Sequence, residues 1–424
     1  MARLLAASAE NTEVLRFVHD DKAYFVLSPF QNSMTYLHWI AGCILAVAWL
    51  SRIVDAALGM PRVADISRPQ WDRQPVGGGR NPRVSIIVPA RNEADHIEQA
   101  LGMLLALDYD NYEVIAVNDR STDGTGEIMD RVAASAGAHG RLKVVHVTDL
   151  PAGWLGKAHA MWTAGEQASG EWLLFTDADV LFQAGSVRRA LVYAEAERAD
   201  HLVVLPAIIM KSAGERMMIA FFQALFVFGH RPWKVADPKA KDHIGVGAFN
   251  LVRRRVYQAV GTYQRLRMEV VDDMKLGKVV KNAGYAQRNV FGGGLVSIRW
   301  AKGALGVVHN LTKNSFAVLS FQWTRTVVTC IGLLFLNLWP FFGVWMAHGH
   351  ARIPYAVALT CMFLIYCGMW LRSSIPPYYF VLHPVSTGLF VYTLVRSMWL
   401  ALSNRGIVWR GTFYPLDELR RGLV

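Results

Sequence analysis

Residues 172–179 read Trp-Leu-Leu-Phe-Thr-Asp-Ala-Asp. The stretch from Trp172 to Thr176 is short, apolar and rich in bulky side chains, which is the pattern of a strand buried on both faces. Such a strand carries Asp177 and Asp179 to the edge of a sheet. Two carboxylates placed together repel each other unless a cation is shared between them. A hard divalent ion that also takes phosphate oxygens is the natural occupant. An Asp-x-Asp triplet alone is common, so its weight comes from what surrounds it.

Working outward, Val84–Pro89, Glu113–Asn118, Leu142–Val147 and Leu202–Pro206 repeat the pattern, each separated from the next by a helix-length segment. This spacing predicts an α/β domain with a mainly parallel sheet covered on both faces. Open parallel sheets bind ligands beyond the carboxyl ends of their strands, and the polar residues collect there. The first strand runs into Pro89-Ala90-Arg91-Asn92-Glu93, and the second into Asn118-Asp119-Arg120-Ser121-Thr122-Asp123-Gly124-Thr125. Ser121 to Gly124 reads equally as a turn with a helix N-cap. Gly156-Lys157 looks like the end of a phosphate-binding loop, but Gly153 stands too close upstream for a Walker motif. A nicotinamide dehydrogenase is disfavoured because no Gly-x-Gly turn follows the first strand.

Further along, Val270-Val271-Asp272-Asp273-Met274-Lys275-Leu276-Gly277 puts adjacent acids at a helix start. First-turn acids stabilise any helix, so this pattern has a purely structural explanation as well as a catalytic one. Arg299-Trp300, Lys302, Lys313 and Arg325 follow, with no acid between Ser297 and Arg325. This basic stretch suits a membrane-surface helix or a clamp for a diphosphate.

The whole chain of 424 residues is 53% hydrophobic and 18% charged, with 14 Trp and a net charge of +11. That composition excludes a disordered chain, and four cysteines without ligand spacing exclude a zinc site or a disulfide framework. The apolar residues are segregated. Leu37–Leu58 is long enough for an uncleaved anchor, and Val327–Ala347, Ile353–Leu371 and Tyr379–Leu402 each match a bilayer core. The expected order is an N-terminal segment (1–35), an anchor (36–58), a basic linker (59–81), a catalytic domain (82–315), a membrane region (316–402) and a tail (403–424).

Arg62, Arg68, Arg73, Arg80 and Arg83 crowd the linker, whereas Arg3, Arg16 and Lys22 are outnumbered by acids before the anchor. The positive-inside rule therefore puts the central domain in the cytoplasm. Three C-terminal spans leave the tail outside, yet it carries Arg405, Arg410, Arg420 and Arg421. Either one span is re-entrant or interfacial, or the tail breaks the rule. Arg396 makes the last span the weakest of the three.

In this order the strings VSIIVPARNEADHIEQAL (84–101), VNDRSTDGT (117–125), WLLFTDAD (172–179), GVGAFNLVRR (245–254), VVDDMKLGKVVKNAGY (270–285) and IRW (298–300) resemble the family 2 glycosyltransferases. The resemblance covers about residues 82–325 and implies the GT-A nucleotide-diphospho-sugar transferase fold. Within the family the chain looks most like membrane-anchored enzymes acting on hopanoids, carotenoids or ceramide-like lipids, and the KNSF string from Lys313 to Phe316 fits that subgroup.

Carried over, the resemblance implies that Pro89, Ala90, Glu93 and Asp119 hold the nucleoside, with Asp119 facing the base. Asp179, assisted by Asp177, would bind Mg²⁺ or Mn²⁺ on the diphosphate. Lys157 is counted with the donor-binding residues. Asp273 matches the general base, and Asp272 replaces the usual Glu before it. Arg299 and Trp300 match the Arg-Trp of a Gln-x-x-Arg-Trp motif whose Gln position holds Val296, a departure that argues against processive synthesis.

The expected reaction is inverting transfer of a sugar, UDP-linked by expectation, to a hydroxyl of a membrane lipid. The expected partners are the sugar donor, the acceptor lipid and the bilayer, without nucleic acid, and the expected setting is a bacterial inner membrane. A processive polysaccharide synthase and a non-catalytic membrane protein retaining the fold are the alternatives.

Overall fold

The computed structural model describes residues 29–74, 81–138 and 140–424. Arg3, Arg16, Lys22 and Arg80 of the orientation argument lie outside the described residues.

All five expected strands form, as β1 (Val84–Ala90), β2 (Tyr112–Asp119), β3 (Leu142–Val147), β4 (Trp172–Phe175) and β6 (His201–Leu205). Between and after them come β5 (Leu181–Phe182), β7 (Ala207–Ile208), β8 (Asn250–Arg253), β9 (Gln287–Phe291) and β10 (Val296–Ile298). The main sheet has seven strands in the order β3-β2-β1-β4-β8-β6-β9. Its β3-β2-β1-β4 half is parallel, and β8 runs antiparallel to both its neighbours. A second sheet, β5-β10-β7, stands immediately after Asp179.

Strand alternation sorts the apolar residues into two cores. Ile86, Val88, Val114, Ala116, Trp172 and Leu174 point to the face covered by the helices Ile97–Leu105, Thr125–Ala133 and Ser186–Ala196. Ile87, Ile115, Val117, Leu173 and Phe175 point the other way, toward the helices Gly156–Gln167 and Asp272–Asn282. Continuous runs serve both faces at once, which is why these strands lack polar alternation.

The expected basic linker is partly built into the domain. Ile66 is fully buried in the first core. Its N–H donates to the Phe291 carbonyl, and Phe291 N–H donates to Ala64, extending the β9 edge. Asp72 holds the guanidiniums of Arg188 and Arg189 at 2.6 and 2.5 Å. The helix Gly303–Val318 also runs through the expected domain boundary at 315 without a break.

Among the described residues, four helical segments are long and apolar enough to cross a membrane: Ser33–Arg62, Trp323–Met346, Gly349–Trp370 and Pro377–Ser403. The second is interrupted by a π-helical turn, Leu334–Leu338, just before Pro340. Proline has no N–H to return to the Leu336 carbonyl. Trp49 Nε1 donates to it instead, at 2.9 Å, as a dry environment demands. Helices Ala213–Gly229 and Gly303–Val318 of the central block share a third core with these segments through Met218, Ile219, Val307 and Val308 against Leu45 and Tyr355.

Chain flanking the last segment contacts the central domain before and after it. Arg372, just before it, lies over the Phe291 ring of β9 at 4.4 Å and donates to Met60 O. After it, a hairpin of β11 (Gly406–Trp409) and β12 (Thr412–Pro415) and the helix Leu416–Arg421 dock on the second core of the catalytic domain through Tyr414, Leu416 and Leu419. Chain just before and just after Pro377–Ser403 thus meets the central domain, while Tyr379 and His383 at the start of the segment pack among the other apolar helices.

Candidate active site

The acids converge at the carboxyl end of the parallel strands. Beyond β4, Asp177 N–H donates to Gly247 O at 3.0 Å. Lys157, in the first turn of its helix, reaches Asp177 Oδ1 at 2.7 Å and Asp272 Oδ1 at 3.6 Å. Asp272 is almost fully buried and also accepts from the Tyr263 hydroxyl at 3.2 Å. Asp273 is less buried and accepts from the N–H groups of Gly247 and Met274 at 2.8 and 2.7 Å. Glycine is required at 247 and 156, because a Cβ would collide with the carboxylates of Asp177 and Asp119 respectively.

Charge balance differs among these groups. Burial opposes the Lys157 ammonium, but Asp177, Asp272 and Asp273 outweigh it and raise its pKa. Burial likewise pushes Asp177 up, and Lys157 more than reverses this. Asp179 has no such partner: burial, then repulsion from Asp177 and Glu93, push it up to about 6. Burial also raises Asp272 and Asp273, the latter further through repulsion by Asp272.

Among the described residues no cluster of three His, Cys, Asp or Glu side chains could hold a metal alone. Asp179, crowded by Asp177 and Glu93 and forming no salt bridge among the described residues, fits a divalent ion whose remaining ligands would be diphosphate oxygens and water.

Elsewhere the expected residues are distributed less evenly. Pro89 and Ala90 are buried at the end of β1. Asp119 is clasped by Arg120, at 2.7 Å from Nε, with Arg91 at 3.8 Å. Glu93 meets Arg410 Nη2 at 2.8 Å. Arg299 is paired with Glu215, not with the paired acids, at 3.3 Å. Although burial pushes Glu215 up, the N–H groups of Gly303, Lys211 and Ser212 and the Arg299 guanidinium bring it down to about 2. Trp300 packs on Phe222 with ring centroids 5.0 Å apart, beside the membrane segments.

Sequence reasoning placed Arg91 and Arg120 at the strand ends without giving them a role, and missed Tyr414. It treated Arg410 as a marker of membrane orientation. Tyr414 accepts the Gly156 N–H at 3.2 Å, a contact across 258 residues that no local pattern announces.

Residues 85–261 match the family model described as glycosyl transferase family 2. The chain is 23% identical over 277 residues to 4,4'-diaponeurosporenoate glycosyltransferase of Staphylococcus haemolyticus, an alignment covering 62% of this chain and 71% of that protein. It is 34% identical over 100 residues to a probable glycosyltransferase of Bacillus subtilis, covering 23% of each. The fold is similar to that of a mannosyltransferase from Pyrobaculum calidifontis, solved with GDP-Man and Mn²⁺. That match has a TM-score of 0.53 and 20% identity, and covers 85% of this chain and 99% of the other. The GT-A-like domain carries the matched residues, and over residues 85–261 it is a glycosyl transferase family 2 domain by its family model.

Proposed function

We propose that this enzyme transfers one sugar, with inversion, from a nucleotide-diphospho-sugar to a hydroxyl of a membrane lipid. The carrying observation is that the acids around Lys157 sit in the same domain as two helices, Ala213–Gly229 and Gly303–Val318, packed against membrane-type segments. An acceptor hydroxyl presented at the bilayer surface is thereby brought near the donor. The relative that acts on a carotenoid acid by its name supports an apolar acceptor.

In this reading Asp273 accepts the acceptor's hydroxyl proton as that oxygen bonds to the anomeric carbon. The bond from that carbon to the donor diphosphate breaks, and its electron pair leaves with the diphosphate. Attack opposite the leaving group inverts the centre. Asp272, tied to Lys157 and Tyr263, positions the loop. Mg²⁺ or Mn²⁺ held by Asp179 and Asp177 would supply charge neutralisation for the leaving diphosphate.

We further infer three membrane crossings and a re-entrant last segment, since Arg372 before it and Tyr414, Leu416 and Leu419 after it all contact the central domain. This reading keeps the domain and the arginine-rich tail together in the cytoplasm.

The test incubates purified enzyme with radiolabelled UDP- and GDP-sugars and a total membrane lipid extract. Label in a chloroform-soluble product whose anomeric configuration is opposite to the donor's is expected. Label confined to free sugar, or to water-soluble polymer, overturns the reading.

A further inference from the structure

Two cations reach the carboxylate cluster from outside the matched residues 85–261. Arg410 is the first residue of the two-residue turn between β11 and β12, where Trp409 faces Thr412. It and Gly411 both have positive φ, 47° and 79°, the type I′ geometry that suits the strand twist. The turn holds the guanidinium over the site: Nη1 donates to Arg91 O at 3.0 Å and Nη2 to Glu93 Oε1 at 2.8 Å. Its field reaches both Asp177 and Asp179.

Lys313 stands on the helix Gly303–Val318, its Nζ 5.9 Å from the Trp409 ring centroid. Among the described residues it forms no ion pair. It is close enough to Arg410 and Lys157 for their like charge, added to burial, to lower its pKa. Lys157 is balanced by Asp177 and Asp272 and Arg410 shares Glu93, so among the described residues Lys313 is the cation of the three left without an acid, and a ligand with more than one negative charge would complete the set. Arg299, the residue expected to clamp a diphosphate, pairs with the buried Glu215 and not with the acids around Lys157, whereas the acid that Arg410 pairs with, Glu93, belongs to the strand-end cluster itself.

We propose that Arg410 and Lys313 bind the diphosphate of the donor, so that the β11–β12 hairpin forms one wall of the donor site. This rests on the transferase reading above. As the sugar–diphosphate bond breaks, its electron pair adds negative charge to the diphosphate, and fixed guanidinium and ammonium groups stabilise that charge. Arg410 offers a fork to two oxygens, and Lys313 a point charge.

The experiment measures binding of UDP, GDP, UMP and GMP to the detergent-solubilised full chain with Mn²⁺ by calorimetry, for wild type, Arg410→Gln, Arg410→Lys and Lys313→Gln. Both Gln variants are expected to lose roughly tenfold or more in affinity for the preferred diphosphate, as for a charge-assisted contact. Their monophosphate affinity and thermal midpoint should stay at the wild-type value, with Arg410→Lys in between. Wild-type diphosphate affinity in both Gln variants overturns the proposal and leaves the transferase reading standing. Equal loss for mono- and diphosphate overturns it too, because the hairpin then only shapes the nucleoside pocket. A wild-type chain that binds neither UDP nor GDP overturns the transferase reading itself.

Discussion

Lys157 Nζ and Asp177 Oδ1 lie 2.7 Å apart, and this ion pair joins the strand that carries the paired acids to the helix that begins with Asp272 and Asp273. Both partners are mostly shielded from solvent. Removing one charge from such a pair costs about 3–5 kcal/mol because the other is left uncompensated. Lys157→Met should therefore lower the thermal midpoint and abolish transfer. Adding Asp177→Asn should recover midpoint without recovering activity, and a double variant no more stable than the single one would show that the pair is not what Lys157 contributes.

The two acids at the helix start are separable. Asp273→Asn keeps shape and removes the proton acceptor, so turnover should fall on the order of 10²-fold with donor affinity little changed. Asp272→Asn disturbs Lys157 and Tyr263, and should be milder in turnover and more costly in stability. Steady-state kinetics with donor titration checks both, and a fully active Asp273→Asn excludes it as the base.

Asp179→Ala should eliminate metal-dependent activity while the protein stays folded by circular dichroism. Chelation of the wild type should reproduce the loss, and Mn²⁺ or Mg²⁺ should restore it. Full activity after chelation and dialysis would remove the metal role from Asp177 and Asp179.

Raised carboxylate pKa values set the direction of the pH response. Asp179 is at about 6 in the unliganded site, and Asp273 is raised as well. Both must be ionised to act, so kcat/KM should fall as pH drops through about 6, far above the ordinary aspartate range. The stability effect has the opposite sign. Groups whose folded pKa is raised stabilise fully below the unfolded value of 3.8 and lose that contribution as pH rises through about 6. Asp179→Asn should thus be more stable than wild type at pH 7.5, and this gain should vanish on acidification. A flat kcat/KM between pH 5 and 7, which are about a unit either side of that value, counts against the assignment.

Membrane topology gives a fifth test. Reporter fusions at Gly78 and after Val424 should both be active with a cytoplasmic reporter and silent with a periplasmic one. Opposite signals from the two sites would mean that the last segment crosses.

The sheet was legible because strands covered on both faces are written as unbroken apolar runs, and the boundaries of β3 were read to the residue. The short antiparallel β8 was not, since Asn250-Leu-Val-Arg253 has too few residues to show a period. Ile66 was hidden in a segment read by its charges alone. Asp177, Asp179, Asp272 and Asp273 were legible as candidates because they follow or open regular elements, and the structure brings Lys157 between Asp177 and Asp272. Arg299 was expected on a diphosphate but is held by Glu215, a partner 84 residues away whose own cap at Ser212 is a local signal. The conflict between tail charge and span count stays open in the sequence, and the contacts of Arg372 and Tyr414 on either side of the last segment are what favour the re-entrant alternative.

Docking of residues 406–421 on a domain that begins more than three hundred residues earlier has a consequence for biogenesis. While the ribosome is still translating the membrane region, the second core lacks Tyr414, Leu416 and Leu419, and Gly156 lacks its tyrosine partner. The nascent catalytic domain therefore emerges with that apolar face open, to be closed only once the last-made residues of the hairpin and helix have folded back onto it.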